Sequence, residues 1–363
     1  MEYAYSEILG VLEGTSRISL NTATTGQEYM QSETQNQPEV AQGSQSGRSL
    51  LLTDVGKCCV CGTNRWSEPV ATGEDFEYEC SPDSFVAQRC SNCGLVYLDP
   101  RPAMSELGTI YGPDYHAYDF SEEKFGIAYR VRSWLESRRL KRWCGDLPAG
   151  SRIVDIGAGD GFHLKLLEKI GRGRWTLEGV DPDDNAVSAA RRKGLTMHQG
   201  LIQELNLPES SYDFATMIMT IEHVDAPEVM LHEIAKLLKP GGCVGIITDN
   251  TGSPDYAIAK RRHWGGYHFP RHWNLFNRNS ISRLAEKAGL EVVRIRTLVS
   301  PVNWTYTVHN WLKDRGAPAW LYGQFGLDKP IPLAAFTAMD TILALVGKGA
   351  IMGVTLRKPD DTK

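Results

Sequence analysis

VDIGAGDG, residues Val154 to Gly161, closes a short apolar run that begins at Arg152 and opens an apolar helix pattern. Strand, glycine turn and helix in that order are the first unit of an α/β fold, because glycines let the backbone turn sharply and approach a ligand closely. The glycines stand at 157, 159 and 161, whereas the dinucleotide fingerprint of dehydrogenases needs its third glycine one position later, where this chain has Phe162. A pyrophosphate would also be repelled by Asp155 and Asp160, in and beside the turn, while a cationic ligand would not.

Downstream, Trp175 to Val180 reads as a second strand ending at Asp181, a carboxylate placed to accept both hydroxyls of a ribose. The alternation continues through helix Asn185–Lys193, strand Leu195–His198, strand Asp213–Met219, helix Pro227–Leu238 and strand Val244–Thr248. Pro240, Gly241 and Gly242 stop the second of these helices. Glu291–Leu298 supplies a sixth strand and Ile351–Arg357 a seventh. The expected fold is a doubly wound α/β sheet of seven strands, mostly parallel, with a small zinc ribbon before it and a helical insertion near its end.

The ribbon is read from Cys58, Cys61, Cys90 and Cys93, two CxxC pairs each followed by glycine. Four thiolates saturate a tetrahedral zinc ion and leave no open position for water, so the expected role is structural. Cys59 would break the matching Cys-x-x-Cys-Gly pattern, and Cys80 is left out. Five segments follow: a disordered extension (1–53), the zinc module (54–120), a basic lid helix and linker (121–150), the cofactor domain (151–299), and the insertion with the last strand (300–363). The Gln- and Thr-rich start has too little apolar area to offset chain entropy.

With 42% hydrophobic and 23% charged residues the chain is globular, and a net charge of -5 argues against nucleic-acid binding through bulk charge. Glu2, Glu7 and Glu13 stand where a secretory signal needs a basic start and an apolar run, so a cytoplasmic location is expected. The apolar stretch Ile331 to Val346 is too short for a membrane span and contains Asp340, which leaves core packing, a pocket cover or peripheral contact with lipid.

VDIGAGDG, GVDPD at 179–183, IEHV at 221–224 and LLKPGG at 237–242 together resemble class I S-adenosylmethionine-dependent methyltransferases. The flanking runs RCSNCGLVYLDPRP at 89–102 and HWGGYHFPRHWNLF at 263–276 are similar to members that carry a zinc module. The resemblance implies that Asp155, Gly157, Gly159 and Gly161 line the methionine end of the cofactor. It further places Asp181 at the ribose, and Pro182, Leu201 and Ile202 around the adenine; the rule that ligands sit beyond the carboxyl ends of the strands puts Thr220, Glu222 and His223 next to the cofactor. Leu201 departs from the pattern, since many members have an acid there for the adenine amino group.

The acceptor side is expected beyond the carboxyl ends of the strands. His223 is the first candidate base, with His268 and His272 in the long segment 250–277, which is expected to act as a lid or acceptor wall. Arg271 either grips an anionic acceptor, helped by Lys260, Arg261 and Arg262, or ties the segment to a carboxylate of the fold. The expected partner is a small-molecule acceptor; a nucleic-acid-directed enzyme and a noncatalytic interaction protein are the competing readings. The fourth strand ends in TIEH, without the Asn/Asp-Pro-Pro-aromatic run of exocyclic-amine methyltransferases.

Overall fold

The computed structural model describes residues 47–63, 66–112 and 122–360. The extension expected to residue 53 lies outside them as far as residue 46; beyond that, Leu50 is buried and β1 (Leu52–Thr53) pairs with β5 (Arg101–Pro102).

The cysteine region builds a small antiparallel sheet from β2 (Trp66–Gly73), β3 (Phe85–Cys90) and β4 (Val96–Leu98), followed by the short helix α1 (Leu107–Ile110). Helix α2 (Glu122–Cys144) leads into the larger sheet. It is interrupted at Gly126, which is non-helical (φ 46, ψ -114). The helical spacing of Ile127, Val131, Leu135 and Leu140 offers one side for packing; of these Leu140 is buried, Leu135 half-buried and Val131 exposed, and the side chain of Ile127 lies outside what is described. Leu140 and Cys144 join a core with Ile153, Phe214 and Ile247.

The main sheet follows as β6 (Arg152–Ile156), α3 (Phe162–Gly171), β7 (Thr176–Asp181), α4 (Asp184–Arg192), β8 (Thr196–Gln199), β9 (Tyr212–Ile218), α5 (Pro227–Leu237) and β10 (Leu238–Asp249). After β10 come α6 (Pro254–Ala259), β11 (Asn274–Leu275), α7 (Arg278–Lys287) and β12 (Glu291–Leu298). Three helices, α8 (Pro301–Asp314), α9 (Ala319–Tyr322) and α10 (Pro330–Leu345), precede the last strand β13 (Ile351–Arg357). The order across the sheet is β12-β13-β10-β9-β6-β7-β8. Strands β6 to β10 run parallel, and β13 lies antiparallel between β10 and β12.

Strand order reverses between β6 and β9, so the chain leaves these two strands in opposite directions and opens a crevice at their carboxyl ends. One face buries Val154, Ile156, Met217 and Ile246 against α5 and α7; the other buries Ile153, Phe214 and Ile247 against Leu140 of α2 and Leu164 and Leu167 of α3.

The long segment after β10 departs from expectation. It is no free lid: Trp264, Tyr267, Arg271 and Trp273 are at most 2% exposed. Its strand β11 pairs with β4, so the small sheet has four strands in the order β11-β4-β3-β2. Tyr256, Trp264, Tyr267, Phe269 and Trp273 share one core with Phe85, Val96, Leu98 and Ile110. That exchange hides flat aromatic surface which a mobile loop would leave in water.

Candidate active site and four-cysteine cluster

The turn after β6 puts Gly157, Gly159 and Gly161 at φ 72, 54 and 81, a left-handed run that side-chain-bearing residues resist. At Gly157 a Cβ would fall 2.4 Å from Thr220, so the glycine lets the two strand ends close on one another. Asp181 at the end of β7 closes the far side: its Oδ2 accepts the Gly159 N–H at 2.8 Å and its Oδ1 the Asp183 N–H at 2.9 Å. Each oxygen keeps a further lone pair for a ribose hydroxyl.

Asp155 is 1% exposed and accepts the Thr216 hydroxyl at 2.6 Å through Oδ1, while Oδ2 has no hydrogen-bond partner among the described residues. Burial pushes its pKa up to about 7, the Thr216 bond opposing and Asp181 adding to the rise. Asp160 faces outward, paired to Lys193 at 2.6 Å. Ile202 is buried, Leu201 half-buried and Pro182 exposed at the rim. Met219, which the sequence did not mark, takes a left-handed φ of 52 where β9 ends, a strained backbone beside the crevice.

From that point the chain enters a polar cluster. Glu222 is wholly buried; Thr248 donates to its Oε2 at 2.8 Å and its Oε1 has no hydrogen-bond partner among the described residues. Burial raises the Glu222 pKa to about 7 against the charge of His272, with Asp249 adding to the rise. Three imidazoles stand in series, His223 to His272 at 4.6 Å between ring centroids and His272 to His268 at 5.0 Å. His223 Nδ1 lies 2.8 Å from the Tyr111 hydroxyl and 3.2 Å from the Arg271 carbonyl. His272 Nδ1 lies 2.8 Å from the Gly266 carbonyl and 3.2 Å from Asp249 Oδ2, and His268 Nδ1 2.8 Å from Glu77 Oε2. Burial and the two neighbouring imidazoles depress His223, whereas Asp249 and Glu222 overcome burial at His272 and raise it.

The three histidines expected on the acceptor side are thus brought together. Arg271 is not available to them, and its reading as an anion grip is corrected. Its Nη2 meets Asp75 Oδ2 at 3.0 Å, its Nε the Ile110 carbonyl at 2.7 Å and its Nη1 the Phe269 carbonyl at 3.2 Å, all in a buried setting. Its guanidinium also stacks over Tyr78 at 4.3 Å. Burial alone would raise the Asp75 pKa, yet Arg271 holds it below its usual value. Arg262 is likewise bound, to Asp314 and Glu74.

In the small sheet Cys58 and Cys93 sulfurs are 3.6 Å apart and those of Cys61 and Cys90 3.5 Å, with all four within 4.8 Å of one another. Sulfurs tetrahedral about one zinc at bonds of about 2.3 Å stand about 3.8 Å apart, so the set fits such an ion. The two knuckles are built alike: Gly62 N–H bonds Cys58 O and Gly94 N–H bonds Cys90 O, with φ 71 and 76. Cys59 points away and donates to Asn274 Oδ1 at 3.1 Å.

Residues 123–295 match the family model described as "Methyltransferase domain". A "Probable S-adenosylmethionine-dependent methyltransferase" of Mycolicibacterium smegmatis is 28% identical over 159 residues, 43% of this chain and 56% of the relative. A ubiquinone biosynthesis O-methyltransferase of Alkalilimnicola ehrlichii is 33% identical over 117 residues, 30% of this chain and 46% of the relative. The chain therefore spans about half the length of these two relatives. Among solved structures, phosphoethanolamine N-methyltransferase 2 of Haemonchus contortus, in complex with S-adenosyl-L-methionine, is 18% identical with a TM-score of 0.47, covering 81% of this chain and 68% of that one. Residues 123–295 are a methyltransferase domain of the S-adenosylmethionine-dependent kind.

Proposed function

We propose that the whole chain transfers a methyl group from S-adenosylmethionine to a small-molecule acceptor held between the glycine turn and the imidazole cluster. The observation that carries this reading is the pairing of a glycine turn braced by Asp181 with the unpartnered Asp155 Oδ2 beneath it. An acidic pocket favours a sulfonium donor that also carries an ammonium group. The donor when bound supplies an electrophilic methyl carbon for in-line displacement; the chain positions the acceptor and manages its proton. His272 is the best-held imidazole for that proton, since its Nδ1 is fixed by the Gly266 carbonyl and Asp249. The burial of Arg271 removes the residue that argued for an anionic acceptor, so charge on the acceptor is not part of this proposal.

We further assign Cys58, Cys61, Cys90 and Cys93 to one structural zinc. Titrating the thiolates with a mercurial should release about one zinc per chain, and release of none would remove the ion from this reading. Calorimetry is the test of the donor. S-adenosylmethionine should bind, NAD should not, and Asp181→Ala should weaken donor binding at least about 10-fold, the loss of roughly one charge-assisted hydrogen bond. Binding of NAD in place of the sulfonium would overturn the assignment.

A further inference from the structure

We propose that Glu222, His223 and His272 form a second metal site, distinct from the four-cysteine cluster, which takes one divalent transition-metal ion. Their ligand atoms lie within 4.8 Å of one another, although Glu222 and His223 stand in the turn after β9 and His272 comes from a segment some 50 residues on.

The orientation of the two rings is the first argument. A backbone carbonyl can only accept, so the contact of His272 Nδ1 with Gly266 O places a proton on that nitrogen, while His223 Nδ1 is held between the Tyr111 hydroxyl at 2.8 Å and the Arg271 carbonyl at 3.2 Å. Each ring is thus fixed through Nδ1, which leaves Nε2 to face a ligand. An imidazole fixed through its far nitrogen is the arrangement that metal-binding histidines adopt.

The second argument is charge. Glu222 and Asp249 are both fully buried; Glu222 Oε1 has no hydrogen-bond partner among the described residues, and Asp249 Oδ2 lies 3.2 Å from His272 Nδ1. Arg271, in the same segment as His272, is bound to Asp75 and two carbonyls. Two buried carboxylates beside one imidazole cluster concentrate negative charge, which is costly in a low-dielectric site. A divalent ion on Glu222 Oε1 and the two Nε2 atoms offsets that charge. Two imidazoles and one carboxylate suit zinc, iron, manganese or nickel better than magnesium or calcium. Three protein ligands also leave open positions, as in metal sites that bind a substrate oxygen.

The site lies two residues beyond Thr220, the side chain that a Cβ on Gly157 would strike. The ion would therefore seat an oxygen of the acceptor opposite the donor's methyl group. This last step rests on the methyltransferase reading above, and with the ion present the imidazoles act as ligands in place of free bases.

The test uses the full chain, stripped with a chelator and reloaded with cobalt(II). Wild type should take up about two ions per chain, one showing the intense sulfur-to-metal absorption of thiolate ligands and one without it. Glu222→Gln, nearly isosteric, and His272→Gln should each retain about one ion with the thiolate absorption unchanged. Uptake of a single ion by wild type, or of two by both variants, overturns the proposal; if one variant fails to fold, the other and the wild-type count still decide it. Calorimetry of S-adenosylmethionine on the same samples separates the two readings, since loss of donor binding sinks the methyltransferase assignment without changing the ion count.

Discussion

Asp155 carries its carboxylate into the floor of the crevice, where water cannot solvate it. Its folded pKa of about 7 lies above the unfolded value near 3.8, so the folded state holds the proton more tightly. Stability from this group is therefore complete below about pH 4 and declines as pH rises towards 7. Asp155→Asn removes that dependence: the variant should gain several degrees in Tm over wild type at pH 8 and much less at pH 5, as thermal melts at both pH values would show. A difference independent of pH would place the charge elsewhere. For the acceptor side, alanine at His223, His268 or His272 should cut turnover at least about 100-fold for one of the three while donor binding survives; wild-type rates in all three would exclude the cluster from proton handling. The glycines, Asp155 and Asp181 were legible because each acts within one strand and its following turn. Asp249, Tyr111 and Glu77 were not, because their importance comes from partners such as His272, His223 and His268 that the sequence alone does not bring near them.

Local elements were readable for a similar reason. The first, sixth and seventh strands begin and end where the apolar alternation does, and the other parallel strands differ by a residue or so, except β10, which begins at Leu238 rather than Val244. That early start is a separate bridge from Leu238 to Tyr212, split from the main ladder by the irregularity before Cys243. Of the two readings of the segment after β10, the free lid fails, because its length and aromatic content suit both an exposed loop and a buried wall and only long-range packing distinguishes them. Arg271 and Asp75, far apart in sequence, are that packing at its most demanding. Arg271→Met alone should cost about 3–5 kcal/mol by leaving Asp75 buried and unpaired, and Asp75→Asn in the same chain should restore a large part of it. Denaturant melts of the two single variants and the pair would measure the coupling; additive losses would show that the pair is not a unit.

At the scale of the molecule, two features stand apart from the crevice. No described helix is long and apolar enough to cross a membrane, yet α10 shows Ile331, Ile342 and Leu345 at 66–81% exposed, with Trp320 at 70% beside it in the chain. The one acid in that helix, Asp340, turns inward to the Ser300 and Ala350 N–H groups, which leaves the outer face uncharged. Core packing, one of the three readings of this stretch, does not describe that outer face. The other feature is the pairing of Asn274–Leu275 with Val96–Tyr97. Because the cysteine-bearing sheet borrows its edge from the methyltransferase half, neither part owns a finished surface. A recombinant fragment starting near residue 121 would retain every strand of the large sheet but expose Trp264, Tyr267 and Trp273 to solvent, and would be expected to aggregate on expression. Any chimera that exchanges substrate preference between related proteins would have to carry the cysteine region and residues 250–277 together, as one transplant.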